Sequence, residues 1–196
     1  MRMPHATTHP APGAAMPSPQ PPRAGASVPG GSGIALVLRF VLIFLALQAL
    51  YAAIPDAVLE RDIVHHGLAR PAAWLIGAYG HGDATAVTNE IHGPAAVLAI
   101  IRGCDGSSGM FLLVAAIAAF HAPWRHRLGG AALGLLLLHA LNIARVAGLY
   151  ALLAADVNLF HAVHEFVAPS VTVLGICLYY VAWCAWLPNH APTRGG

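Results

Sequence analysis

The sequence predicts an all-α, polytopic membrane protein: a helical bundle of about four spans, with interfacial helices and a possible short hairpin at its outer face. The chain of 196 residues is 58% hydrophobic and only 9% charged, whereas soluble domains carry about 25% charged residues. Its apolar residues also form long runs, close to the roughly 20 residues that a membrane-crossing helix requires. A soluble domain is therefore excluded, and the absence of basic runs with interleaved aromatic residues argues against nucleic acid binding.

Both ends of the chain are predicted to lie outside the bundle. Residues 1–33 contain eight prolines and five glycines and show no apolar periodicity, so they cannot bury a core. We expect a disordered cytoplasmic tail there, a membrane domain over 34–187 and a second cytoplasmic tail over 188–196.

Four apolar runs are the candidate spans. The weakest is the second, because its apolar part is short and reaches only about 16 residues if the helix begins near Asp105. The four runs are Ile34–Ile54, Met110–Phe120, Leu128–Ala154 and Pro169–Leu187.

The segments between the first two spans are mixed in character. Residues 57–80 begin charged and end apolar, which predicts one or two interfacial helices, broken at Pro71 and anchored by Trp74 and Tyr79. Residues 81–103 turn from polar to β-branched, which predicts short extended segments at the membrane surface.

Positive charge orients the predicted spans. The N-terminal tail, the loop 121–127 and the C-terminal tail all carry arginines, and positively charged segments stay on the cytoplasmic side. Four spans with both ends inside satisfy this rule. The opposite face then receives Cys104 together with a polar turn, residues 155–168, that contains His161 and His164.

Arg145 is the residue that most requires an explanation. It lies in an apolar run, where an arginine costs about 2.5–3.5 kcal/mol at membrane depth and therefore indicates a functional site. The alternative is an arginine near the helix end that extends its head to the interface. Asn142 and His139 precede it at intervals of three residues, so the three share one slowly drifting face. Asn142 is therefore expected to hold the Arg145 side chain in place.

Cys104, Arg145 and a histidine together have the chemistry of a cysteine transpeptidase. A glycine-rich helix start and a nearby arginine both favour the thiolate form of Cys104. His164 or His161 would serve as general acid and base, and Arg145 would stabilise the thiolate and a developing oxyanion. Asn142, Asp105 and His139 would support these groups.

Other interpretations of the same residues remain open. Cys104 could be a buried small apolar residue, as Cys177 and Cys184 are expected to be. The chain contains 12 histidines, so a non-enzymatic metal- or haem-binding membrane protein is the alternative function. Its ligands would come from His65, His92, His139, His161 and His164. A small transporter is a further alternative, but no internal repeat favours it.

The order of these motifs resembles the exosortase/archaeosortase family of polytopic membrane enzymes. The chain has GCDG at the start of a membrane helix, NIAR in the next and FHAVHEF before the last. The resemblance implies that Cys104 is the nucleophile, that Arg145 is the family's arginine with Asn142 as its motif partner, and that His164, with His161 as alternative, is the histidine. The chain is short for the family, which indicates a compact subfamily.

The resemblance also implies a function, a location and a substrate. The enzyme would cleave exported proteins at a C-terminal sorting signal, composed of a short motif, a hydrophobic helix and a basic cluster, through a Cys104 thioester that an amine or water resolves. It would lie in the bacterial cytoplasmic (inner) membrane with its active site facing the periplasm. No cofactor or metal is expected, and the partners are the lipid bilayer and the substrate protein.

Overall fold

The computed structural model describes residues 30–80 and 83–187, and side chains from Gly33 onwards. Of the residues that the structure describes, 77% are helical, and they include one small sheet. The α-helices are α1 (Gly30–Ala52), α2 (Asp56–Val58), α3 (Arg70–Ala78), α4 (Ser107–Ala119), α5 (Trp124–Ala155), α6 (Val157–Ala162) and α7 (Ala168–Trp186). Two wider, π-helical segments, Leu59–Ala69 and Val163–Val167, continue α2 into α3 and α6 into α7.

Three helices of the described chain are long and apolar enough to cross a membrane. They cover Gly33–Ala52, Trp124–Ala155 and Val157–Trp186. The helix α4 is apolar but only 13 residues long, about 20 Å at 1.5 Å per residue, against a hydrocarbon core of about 30 Å. The structure thus supports a helical membrane bundle, and three of the four predicted spans have the required length. The predicted tails lie largely outside the described residues.

The predicted break at Pro71 is wrong, and so is the predicted polar turn before Pro169. Each proline occupies the second residue of an α-helix that directly follows a π-helical segment, α3 in one case and α7 in the other. A proline inside a regular helix lacks an N–H and clashes with the carbonyl four residues earlier. The wider π-helical turn relieves that conflict, so the helices run through both prolines. His161 and His164 consequently lie on a helix.

The predicted extended segments form a three-stranded antiparallel sheet, one strand more than a hairpin. The strands are β1 (Thr85–Val87), β2 (Glu90–His92) and β3 (Val97–Ala99), in the order β1-β2-β3. Ile91 on the central strand is fully buried, because its face of the sheet covers the first π-helical segment, α3 and α5. The sheet therefore closes one end of the bundle.

Two apolar clusters hold the helices together. One joins the sheet, α3 and the later half of α5 around the fully buried Tyr150. The other joins α4, α5 and α7 around Leu113 and Trp183. In the second cluster the aromatic rings of α7 lie where a Cβ on Gly130 or Gly134 of α5 would be. Small residues at these two positions therefore let α5 and α7 approach closely.

The two ends of the bundle have different contacts. At one end Arg39 of α1 lies 3.0 Å from Nε2 of His121 in the loop between α4 and α5. At the other end the Tyr51 hydroxyl of α1 donates to the Asp105 carboxylate at 2.7 Å. The prediction that the 121–127 loop and Arg39 share one side, away from Cys104, agrees with this arrangement.

Candidate functional site

Cys104 lies in a tight loop, Arg102–Gly106, that connects the sheet to α4 and is called the Cys104 loop below. The loop contains two glycines with left-handed backbone angles, φ +90° at Gly103 and φ +82° at Gly106. Glycine adopts such angles without the penalty that a Cβ imposes. The Cys104 N–H donates to the Ile101 carbonyl at 3.0 Å, and the residue is half-buried.

Arg102 fixes the beginning of the Cys104 loop to the end of α1. Its guanidinium donates to the main-chain carbonyls of Tyr51 and Ile54 at 2.8 and 2.7 Å. It also donates to Asp56 Oδ1 at 3.1 and 2.7 Å. The hydrogen-bonded Asp56 carboxylate raises the pKa of Arg102 above its ordinary value. One side chain thus satisfies carbonyls at a helix C-terminus, where no intrahelical donors remain.

Asp105 fixes the end of the same loop. Its Oδ2 accepts from the Tyr51 hydroxyl at 2.7 Å, and its Oδ1 accepts from Gly103 N–H at 3.2 Å and from Ser107 Oγ at 3.0 Å. Three donors therefore surround a carboxylate next to the thiol. This arrangement gives Asp105 a role in shaping the loop.

Asn142 of α5 holds the loop from the other side. Its Nδ2 donates to the main-chain carbonyl of Asp105 at 2.6 Å, and the residue is buried. Among the described residues no hydrogen bond joins Asn142 to Arg145, the side chain that it was expected to hold. Asn142 and Arg145 are three residues apart and share a face of α5. The short Asn142 side chain, however, contacts the backbone of the Cys104 loop, which packs directly against it.

His164 is the residue that faces the thiol. Its Nε2 lies 3.6 Å from Cys104 Sγ, which is hydrogen-bond distance for sulfur. The imidazole stacks on the Phe160 ring, with centroids 5.4 Å apart and an interplanar angle of 9°. Phe160 therefore fixes the orientation of the ring. Among the described residues Nδ1 of His164 is buried without a hydrogen-bond partner.

Arg145 lies beside the Cys104 loop, between two clefts. A cleft of about 420 Å³ between α4, α5 and α7 is lined by Arg145, Asn142 and Gly106 together with apolar side chains. A second cleft of about 280 Å³ is lined by Arg145, Gly103 and Gly106. Within the described part of the chain, no carboxylate pairs with Arg145 and its Nε is buried without a partner.

Among the described residues, the other predicted side chains make no hydrogen bond to the thiol. His161 is exposed and packs edge-on against Phe160. His139 lines a separate cavity of about 310 Å³ with Tyr51, Asp105 and Ser107. Cys184 packs against the apolar cluster between α4, α5 and α7. Cys177 is exposed on α7, so the expectation that it is buried is wrong.

The histidines proposed as metal ligands do not converge. Over the described ranges no group of three His, Cys, Asp or Glu side chains has a metal-binding arrangement. His65 contacts the Thr88 carbonyl at 2.9 Å, and His92 contacts Glu90 at 2.8 Å. Each has its own partner at the surface.

Sequence reasoning missed Tyr51, Arg102 and Ser107. Tyr51 ends an apolar run and was indistinguishable from a membrane-interface aromatic residue. Arg102 did give a signal, since it is a permanent charge two residues before Cys104. Its partners lie at the end of α1 and just after it, about 50 positions away in the chain, and no local pattern identifies them.

Comparisons with protein-family models, with curated proteins and with solved structures found no match for this chain. Its function is therefore inferred from the geometry of its own residues.

Proposed function

We propose that the protein is a membrane-embedded cysteine protease or transpeptidase that cleaves exported proteins near a C-terminal hydrophobic segment. The observation that carries this proposal is the 3.6 Å contact between Cys104 Sγ and His164 Nε2. A thiol beside an oriented imidazole is the arrangement that nucleophilic catalysis by cysteine requires. The resemblance of the motifs to exosortases supports the same chemistry.

The reaction would proceed in two steps. His164 Nε2 takes the thiol proton, Cys104 Sγ attacks the scissile carbonyl, and His164 returns the proton to the leaving amine, which leaves a thioester on Cys104. An amine or water then attacks the thioester, and its proton passes through His164 back to the thiol. The acyl group is thereby transferred or hydrolysed with no net change in the enzyme.

Two features would stabilise negative charge during these steps. Arg145 is a permanent cation without a carboxylate partner among the described residues, and it lines the clefts on both sides of the Cys104 loop. The helix α4 begins immediately after the loop, and its N-cap Gly106 provides no side-chain cap. Free first-turn amides and the helix dipole favour an anion at this point.

The clefts beside Arg145 give the proposal a substrate class. The larger cleft is lined mainly by apolar residues from three helices, among them Leu138, Leu149 and Val171. An apolar peptide segment within the membrane could lie there while its polar end meets Cys104. The far end of the bundle carries Arg39, Arg125 and Arg127, and the tails predicted on that side add Arg2, Arg23 and Arg194. The Cys104 end carries three arginines, Arg61, Arg70 and Arg102, so the positive-inside rule favours an orientation with the Cys104 end facing away from the cytoplasm.

The decisive experiment replaces Cys104 and keeps a matched control. Membranes containing Cys104→Ala, Cys104→Ser or Cys177→Ala protein are incubated with candidate exported proteins that carry C-terminal hydrophobic tails. Products are identified by mass spectrometry, with hydroxylamine added to capture a thioester as a hydroxamate. We expect processing and hydroxamate formation by the wild type and Cys177→Ala protein only. Processing by Cys104→Ala at the wild-type rate would overturn the proposal.

A further inference from the structure

A separate apolar groove lies at the end of the bundle opposite to Cys104. It has a volume of about 300 Å³ and opens between the end of α4 and the start of α5. Its walls are apolar, with Val114, Ile117, Leu128 and Ala131 among them, and Trp124 and Arg127 complete the lining. The proposed catalytic function uses none of these residues.

One arginine lines the groove, and a second lies against the tryptophan of its lining. Arg127 is half-buried, and its Nη1 donates to the Ala118 carbonyl at 3.1 Å, near the C-terminus of α4. Arg125 is exposed, with its guanidinium carbon 5.5 Å from the centre of the Trp124 ring. Trp124 is itself 61% exposed. Tryptophan and arginine side by side at the end of an apolar helix are typical of the membrane–water interface.

Acidic residues are confined to two segments of the sequence. All eight Asp and Glu residues lie within 56–105 and 156–165, and none occurs in 1–55, 106–155 or 166–196. The segments that form the groove therefore contain no carboxylate of their own. Arg125 and Arg127 keep an uncompensated positive charge at the mouth of an apolar groove.

We propose that this groove binds an anionic phospholipid, with one acyl chain between α4 and α5 and the phosphate at Arg125 and Arg127. The short α4 supports a lipid as the occupant. At 13 residues it covers about 20 Å of a core of about 30 Å, and the exposed Leu128 of α5 lines the groove beside its last turns. An acyl chain fills that depth, and basic pockets between membrane helices favour anionic headgroups.

Binding of lipid to purified protein tests this proposal. Protein in detergent is mixed with equal amounts of dioleoyl phosphatidylglycerol and dioleoyl phosphatidylcholine, and bound lipid is counted by native mass spectrometry. Each arginine near the surface strengthens anionic binding by about fivefold. We therefore expect phosphatidylglycerol to be retained at least tenfold over phosphatidylcholine, and Arg125→Gln/Arg127→Gln to abolish that preference. Equal retention of the two lipids would overturn the proposal.

Two controls separate the groove from general effects of charge. Arg61→Gln/Arg70→Gln removes the same charge from exposed positions near the other end and is expected to leave the preference intact. If the Arg61→Gln/Arg70→Gln variant loses the preference for phosphatidylglycerol to the same extent, the groove is not the binding site. Ala131→Phe fills the groove and keeps both arginines, with Leu133→Phe on the exposed face of α5 as its matched control. We expect lipid loss in Ala131→Phe alone, and unchanged retention there contradicts the proposal even if the arginine variant fails to fold.

The headgroup alone provides the last comparison. Glycerol 1-phosphate, added at a hundredfold excess, is expected not to displace bound phosphatidylglycerol, because the acyl chain supplies much of the binding. Complete displacement would indicate a site for soluble phosphate compounds and would exclude the lipid. None of these outcomes depends on Cys104.

Discussion

The side-chain amide of Asn142 donates to the main-chain carbonyl of Asp105 at 2.6 Å and occupies the space where a Cβ on Gly106 would lie. A Cβ there would come within 2.7 Å of the Asn142 amide carbon. The contact between the asparagine and the glycine thus holds the Cys104 loop against α5. Since Arg145 follows Asn142 by about one turn of α5, the same contact also sets the position of the loop relative to the Arg145 guanidinium.

Asn142→Ala should therefore displace Cys104 and lower the rate of processing strongly, while it lowers the stability of the fold only slightly. Loss of one partly buried hydrogen bond costs about 1 kcal/mol, whereas a shift of about 1 Å in a reacting group can lower activity by about a hundredfold. We expect processing to fall at least tenfold with only a small change in the thermal unfolding midpoint. Asn158→Ala, an exposed asparagine on α6, is the control. Unchanged processing by Asn142→Ala would contradict the positioning role.

Gly106→Ala should lower the free energy of unfolding more than Gly103→Ala does. Both residues have positive φ, so each alanine pays a conformational cost of about 1–3 kcal/mol. Only the Cβ at position 106 would collide with Asn142, since the space around a Cβ at Gly103 is open. Thermal unfolding in detergent measures both variants, and the difference between them reports the Asn142 contact. Equal losses of stability in the two variants would show that the positive φ angle alone, and not the Asn142 contact, explains the glycine at position 106.

His164→Gln should slow alkylation of Cys104, whereas His161→Gln should not. His164 Nε2 is 3.6 Å from the thiol and can accept its proton, while His161 is exposed on another side of the helix. Iodoacetamide labelling in a Cys177→Ala/Cys184→Ala background, followed by mass spectrometry, gives the rate at position 104. A fall of about tenfold or more is expected for His164→Gln, in line with general base catalysis. Equal rates in the two variants would exclude His164 as the base.

Tyr150→Phe should stabilise the protein, and Tyr179→Phe should destabilise it. The Tyr150 hydroxyl is buried with no hydrogen-bond partner among the described residues, and an unsatisfied buried group costs about 1–3 kcal/mol. The Tyr179 hydroxyl donates to the Gly130 carbonyl, so its removal loses a hydrogen bond worth about 1 kcal/mol. The midpoint temperature of thermal unfolding should therefore rise by a few degrees in Tyr150→Phe and fall in Tyr179→Phe. A lower midpoint in both variants would indicate that the Tyr150 hydroxyl has a hydrogen-bond partner such as water.

The sequence by itself determined the helical membrane character and the candidate residues. Composition and long apolar runs report burial against lipid directly, because the cost of a charge in hydrocarbon restricts where polar residues can occur. For the same reason Arg145 was conspicuous from its surroundings alone. The GCDG segment also predicted a glycine-rich helix start at Cys104, and α4 begins three residues later at Ser107.

Only the tertiary structure decided which groups touch. It placed His164, and not His161, at the thiol. It assigned Asn142 to the loop backbone and bound Asp105 to Tyr51 across 54 positions of the chain. Contacts between distant segments depend on how helices pack and rotate against one another. Local periodicity fixes the face of each helix and leaves its partner undetermined.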